Sequence, residues 1–150
     1  NNDSKSHSPM LTVSGSDVFV VWNDDRDGNF EIYYKHSVDG GVNWGQDTRL
    51  TNSVFSGSPC ISISGSNLHV VYVHSVYKDD LSQKTEIYYK LSTDQGISWG
   101  DDKLLTSVSS LIQPSVSVLG SIVHVAWEDD RDGNNEIYYK RKGNPVGIED

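Results

Sequence analysis

Apolar and polar residues alternate in three short stretches of the chain: LTVS at 11–14, ISIS at 61–64 and VSVL at 116–119. A period of two places Leu11 and Val13 on one face of an extended strand, with Thr12 and Ser14 on the other. A glycine follows each stretch (Gly15, Gly65 and Gly120) and predicts a tight hairpin there. Beyond the turn come VFVVW at 18–22, LHVVY at 68–72 and VHVAW at 123–127. These are apolar on both faces, and such a strand must be covered from both sides. A third strand is predicted over EIYYK, beginning at Glu31, Glu86 and Glu136, and a fourth over TRLT at 48–51 and KLLT at 103–106.

The phrases recur in the same order, with Pro9, Pro59 and Pro114 spaced 50 and then 55 residues apart. The extra residues fall in SVYKDDLSQKT (75–85), a loop of the second copy. Four short antiparallel strands per unit, buried on both faces, predict an all-β propeller in which neighbouring blades cover each other. The chain reads as one propeller fragment over 1–150, with blades at about 8–52, 58–107 and 113–150. In the third copy KRKGNPVGIED follows Tyr139, giving a shorter turn at Gly143, Asn144 and Pro145, with VGIE as the outer strand.

Between third and fourth strands lie SVDGGVNWG (37–45) and STDQGISWG (92–100). Ser37, Asp39, Gly41 and Trp44, and again Ser92, Asp94, Gly96 and Trp99, resemble the Asp box of the BNR, sialidase-like propellers. The resemblance implies a structural turn on the rim away from the catalytic face. The residues suit that role. An aspartate can accept backbone N–H groups within a tight loop, glycine reaches angles closed to other residues, and tryptophan caps the edge between blades. Asn43 stands where that family favours Ser or Thr, and the third copy has no box.

Between second and third strands lie NDDRDGN (23–29) and EDDRDGN (128–134). By the family's blade order these loops open on the face opposite the boxes. Three chemistries fit them. The loop can be a hairpin in which Arg26 or Arg131 pairs with neighbouring carboxylates. The alternation Asn23, Asp25, Asp27, repeated as Glu128, Asp130, Asp132 and followed by glycine, can be the start of a calcium loop, although no distal glutamate follows. Or the arginines can grip an anionic sugar or other carboxylate bidentately. The second copy lacks the motif, so no such site is common to all blades.

Composition narrows the function. Eight Tyr and four Trp against one Met and three Phe, with abundant Gly and Ser, favour strands and turns. A formal charge of −9 opposes a nucleic-acid groove. No apolar run approaches membrane-spanning length, so no membrane partner is expected. The first residues, NNDSKSHSP, do not read as a signal peptide, and a start at Asn1 points to a mature or excised fragment. The single cysteine, Cys60, excludes an internal disulfide and reads as a core thiol.

The resemblance implies what a catalyst of this kind would need: three arginines on a substrate carboxylate, a tyrosine nucleophile helped by a glutamate, and an aspartate acid/base. Each has its own role, so the constellation must be asymmetric. Here Tyr33, Tyr88 and Tyr138 share one blade position, and Glu31, Glu86 and Glu136 another. SPML (8–11) stands where the family's arginine-bearing first-blade motif would be. Of the histidines, His69 and His124 replace Phe19 on second strands, and none makes a pair at metal spacing. His74, beside the inserted loop, is the candidate ligand contact.

Three blades leave two apolar flanks bare, and closed propellers have about four to eight blades. The expectation is a homodimer closing a six-bladed ring, blade one of each copy against blade three of the other. The functional expectation is a non-catalytic binding propeller, secreted or on a cell surface and bacterial, with a glycan as ligand and calcium as the one candidate cofactor. The alternative is an exo-sialidase or related glycoside hydrolase.

Overall fold

A computed structural model describes residues 4–77, 83–108 and 113–143. Strands β1 (Ser6–Ser14), β2 (Asp17–Asp24), β3 (Glu31–Ser37) and β4 (Thr48–Arg49) form one sheet in sequential order. Strands β5 (Ser56–Ser64), β6 (Asn67–Tyr77), β7 (Gln83–Ser92) and β8 (Lys103–Val108) form a second. Strands β9 (Ser115–Leu119), β10 (Ile122–Asp129) and β11 (Glu136–Lys142) form a third, and all pairings are antiparallel. Among the described residues the third sheet therefore has three strands, not the expected four. The outer strand expected over VGIE and most of its turn lie outside the described residues. No helix of the described residues is long and apolar enough to cross a membrane.

The meander follows from its turns. Ser14 pairs with Asp17, leaving Gly15 and Ser16 as a two-residue loop, and Gly15 takes a φ of 60°. A positive φ at the first loop position only is the type II′ pattern, whose twist matches that of the flanking strands. Strand β4 stops two residues short of the expected TRLT. There the N–H of Ile32 donates to the Thr51 hydroxyl at 2.9 Å instead of to a ladder carbonyl, so a side chain ends the pairing.

The sheets stack face to face with their inner strands β1, β5 and β9 adjacent, as successive propeller blades do. Residues on the double-faced strands divide between two cores. Phe19, Val21, Ile32 and Tyr34 of the first sheet pack on Ile61, Leu68, Val70 and Tyr72 of the second. Val71, Val73, Ile87 and Tyr89, on the other side of the second sheet, pack on Val116, Val123, Val125 and Trp127 of the third. Cys60 is buried in this second core, its Sγ 3.4 Å from the backbone N of Val116.

Candidate functional site

The two ends of the stack differ in chemistry. At one end lie the β1–β2 and β5–β6 hairpins with the two box phrases beside them, Gly40 N–H donating to Ser16 O and Gln95 N–H to Ser66 O. Each box closes on its aspartate. Asp94 accepts the Ser98 N–H at 2.9 Å and the Ser98 hydroxyl at 2.6 Å, and Asp39 accepts the Asn43 N–H at 2.8 Å and its Nδ2 at 2.7 Å. Asn43, the departure from the family pattern, thus supplies the same second donor as Ser98. The Ser98 hydroxyl and N–H bring Asp94 down to about 2, and the Asn43 donors lower Asp39. The Ser37 and Ser92 hydroxyls accept the Gly41 and Gly96 N–H groups.

The second box also grips the first sheet. The Trp99 ring meets Tyr34 edge-on at 5.2 Å, and the Tyr34 hydroxyl donates to Gln95 O at 3.2 Å. Any side chain at Gly96, whose φ is 85°, would collide with that hydroxyl. Trp44, the counterpart of Trp99, is 40% exposed.

At the other end lie the starts of β1 and β5 and the Asp-Arg-Asp-Gly loops. Here Arg26 is engaged from every side. Its Nε and one terminal nitrogen bind Asp24 at 2.9 and 2.6 Å, the other terminal nitrogen binds Asp47 at 2.7 Å, and the guanidinium lies 4.5 Å over the Tyr33 ring. Arg131 repeats this with Asp129 (2.6 Å from Nε) and Tyr138 (4.5 Å), and reaches across to the Thr106 hydroxyl at 3.3 Å on the second sheet. The carboxylates of Asp24 and Asp129 are fully buried. Hydrogen bonds from Arg26, against the opposing effect of burial, hold Asp24 well below the usual carboxylate range. These two aspartates, on the last turnward positions of β2 and β10, are the functional partners that the alternate-residue reading passed over. The signal was present as an aspartate two residues before each arginine.

The six residues considered for calcium do not converge. Asn23 is still within β2 and points into the first core beside Gly57, while Asp25 accepts the Lys5 N–H at 2.6 Å. Asp27 accepts the Tyr33 hydroxyl and Arg49, Asp132 accepts the Tyr138 hydroxyl, and Glu128 accepts Asn135. Among the described residues no group of three or more acidic, histidine or cysteine side chains is placed to hold a metal ion. The physical reason is that the chain reverses at Asp25 and Asp130, so alternation along it no longer means a common direction.

The tyrosines are poor nucleophiles as placed. Burial and the bond to Asp27 push Tyr33 up to about 12, and the bond to Asp132 does the same to Tyr138. His74 occupies the position of Asp24 in the second sheet and packs its ring 5.2 Å from Tyr88. Tyr88 donates to Glu86, which also pairs with Lys84.

A cavity of about 270 Å³ opens where the three inner strands begin, walled by Ser8, Pro9, Ser58, Pro59, Gln113 and Pro114. Ser8 and Ser58 have φ of 54° and 49°, beside register shifts in β1 and β5. Non-glycine residues in this region carry strain of order 1 kcal/mol or more, and such strain collects at ligand sites. Neither the cavity nor the strain is visible in the sequence beyond the repeated Ser-Pro.

By sequence, no family model matches the chain and no curated protein does. The resemblance to Asp-box repeats thus stands on the residues quoted for it. By structure the chain is similar to a thermostable family-43 glycoside hydrolase, with a TM-score of 0.65, 14% identity and coverage of 93% of this chain and 51% of that one. It is also similar to Trypanosoma rangeli sialidase in complex with sialic acid, with a TM-score of 0.57, 12% identity and coverage of 91% and 30%. A mutant of that sialidase displaying trans-sialidase activity matches at the same TM-score with 11% identity. The chain spans about half the length of the first and under a third of the sialidases. At these identities the likeness establishes the propeller-like all-β fold.

Proposed function

We propose that the chain is a non-catalytic propeller scaffold that receives a neutral glycan in the axial cavity, in a secreted or cell-surface, bacterial setting. One observation carries the reading: Arg26 is held bidentately by buried Asp24, Arg131 sets two nitrogens on one oxygen of buried Asp129, and each is stacked on its own tyrosine. Charge spent in this way is not offered to a substrate carboxylate. The serines and the Gln113 amide around the cavity provide neutral donors and acceptors, and the prolines provide apolar faces, as sugars require. The structural neighbours, a glycoside hydrolase and a sialidase bound to sialic acid, support a sugar as the ligand class. A cavity of this size suits one terminal sugar. About 12 heavy atoms at roughly 0.3 kcal/mol each give about 4 kcal/mol, a millimolar affinity.

The alternative, an exo-sialidase or related glycosidase, draws on the same neighbours and requires free arginines. The two part on one experiment. Arg131→Met and Arg26→Met are expected to lower the melting temperature, since each leaves a buried carboxylate without its main partner, at a cost on the order of 2 kcal/mol. Glycan-array binding should be unchanged by chelation of calcium, and fluorogenic sialosides should not be turned over. Turnover by the wild type that either substitution abolishes without lowering the melting temperature would reverse the assignment.

A further inference from the structure

Among the described residues the molecule contains the same interface twice, and the two outer flanks are the unmatched halves of a third. In the first interface the face of a sheet bearing Val21, Ile32 and Tyr34 meets the opposite face of the next sheet, bearing Ile61 and Val70. In the second, Val71, Ile87 and Tyr89 meet Val116 and Val125. The strand registers put Ala126, Ile137 and Tyr139 at the first set's positions on the bare face of the third sheet, and Leu11 and Val20 at the second set's positions on the bare face of the first. Exposure records the missing partner: Ile137 is 77% exposed against 0% for Ile32, and Leu11 is 64% exposed against 5% for Ile61.

We infer that the bare face of the third sheet docks on the bare face of the first sheet of a second copy of this chain, with Tyr139 seated on the box turn of that copy at Gly41 and Trp44. The internal contact of Tyr34 with Trp99, over Gly96, is the template. The first box offers a glycine of the same kind, Gly41 with a φ of 89°, and a tryptophan at the same spacing. It differs in that the Trp44 indole N–H donates to the Gly41 carbonyl at 2.9 Å, a bond the buried Trp99 indole does not make. The Tyr139 hydroxyl already bonds His124 Nδ1 at 2.7 Å, as buried Tyr89 bonds His69 at 2.7 Å. It therefore enters a dry interface with its hydrogen bond made.

Closure selects the number of copies. Rings hold about four to eight blades, so among whole multiples of the three described sheets only two copies fit. A two-fold axis then repeats the head-to-tail contact twice and leaves no free flank. The axial cavity, walled on one side by the inner strands of one copy, is completed by those of the second. The docking itself needs no sugar and stands whether or not a glycan binds.

The test is native mass measurement of the full chain without sugar, on the wild type, on Leu11→Glu and on Ile137→Lys, with circular dichroism confirming that each variant is folded. Both positions are exposed within one copy, so neither substitution disturbs its own core. The wild type is expected at twice the 16.7 kDa of one chain at low micromolar concentration. Each variant alone should shift towards single chains by at least tenfold in dissociation constant. Mixing the two should recover a one-to-one complex, because one intact interface joins them. A wild type that stays at one chain mass would overturn the inference. So would one variant losing assembly while the other keeps it, which marks like-on-like docking, and so would open-ended oligomers.

Discussion

His69 is buried in the second sheet and hydrogen-bonded to Tyr89, at the position where the first sheet has Phe19. Burial alone takes its pKa down to about 4. Below about pH 6.5 the unfolded chain binds a proton at this site that the folded chain refuses. The contribution is whole above that pH and is lost as pH falls from about 6.5 to 4, by up to on the order of 3 kcal/mol. Removing the imidazole alone strands the Tyr89 hydroxyl, a penalty of about 1–3 kcal/mol, so the informative variant is His69→Phe with Tyr89→Phe. Denaturant titrations at pH 7 and pH 4.5 should give a smaller stability difference for the double variant than for the wild type. Equal differences would show that His69 is not the group responsible. Of the three chemistries the sequence leaves open for these loops, the hairpin with an arginine paired to neighbouring carboxylates is the one these bonds fit, through Asp24 and Asp129. The alternation of Asn23, Asp25 and Asp27 does not bring those side chains together. Alternation describes a strand, and the chain stops being one at Asp25.

Strands were the most legible elements, since double-faced stretches such as VFVVW and LHVVY have no comfortable conformation but a covered strand. The box turns were legible too, through Ser, Asp, Gly and Trp at fixed spacing, and Asn43 bonds Asp39 as Ser98 bonds Asp94. The end of β4 was not, because it depends on whether the Thr51 hydroxyl displaces a carbonyl, a choice of rotamer rather than of pattern. The turns also differ in what they touch, and glycine substitutions separate local strain from docking. Gly96→Ala and Gly41→Ala both place a side chain at positive φ, a strain of roughly 1 kcal/mol each. At 96 the new methyl also meets Tyr34, whereas at 41 the Trp44 ring stands off at 3.6 Å. Thermal unfolding of single chains, in an Ile137→Lys background, should therefore show the larger loss for Gly96→Ala. Equal losses would mean that the box does not brace the neighbouring sheet.

At the scale of the whole molecule, the repeat announced that sheets must cover sheets, and the two cores bear this arrangement. What the pattern could not give was the axial cavity, which exists only through the relative placement of three strand ends, each unremarkable by itself. Nor could it give the left-handed serines at its wall, since Ser-Pro is compatible with ordinary turn angles. The bare flanks, in contrast, follow directly from apolar residues on both faces of β2 and β10. They make a claim about where each tryptophan sits. Trp99 and Trp127 are in internal interfaces, whereas Trp44 and Trp22, the first-sheet counterpart of Trp127, lie on the unmatched flank. The most direct measurement is fluorine NMR of 5-fluorotryptophan-labelled protein across a dilution series, with Trp44 assigned by Trp44→Phe. The Trp44 resonance should shift and lose its solvent isotope effect as concentration rises, while Trp99 and Trp127 stay fixed. A Trp44 resonance that remains solvent-sensitive and unmoved up to about 100 μM, well above the micromolar affinities of specific interfaces, would contradict the account.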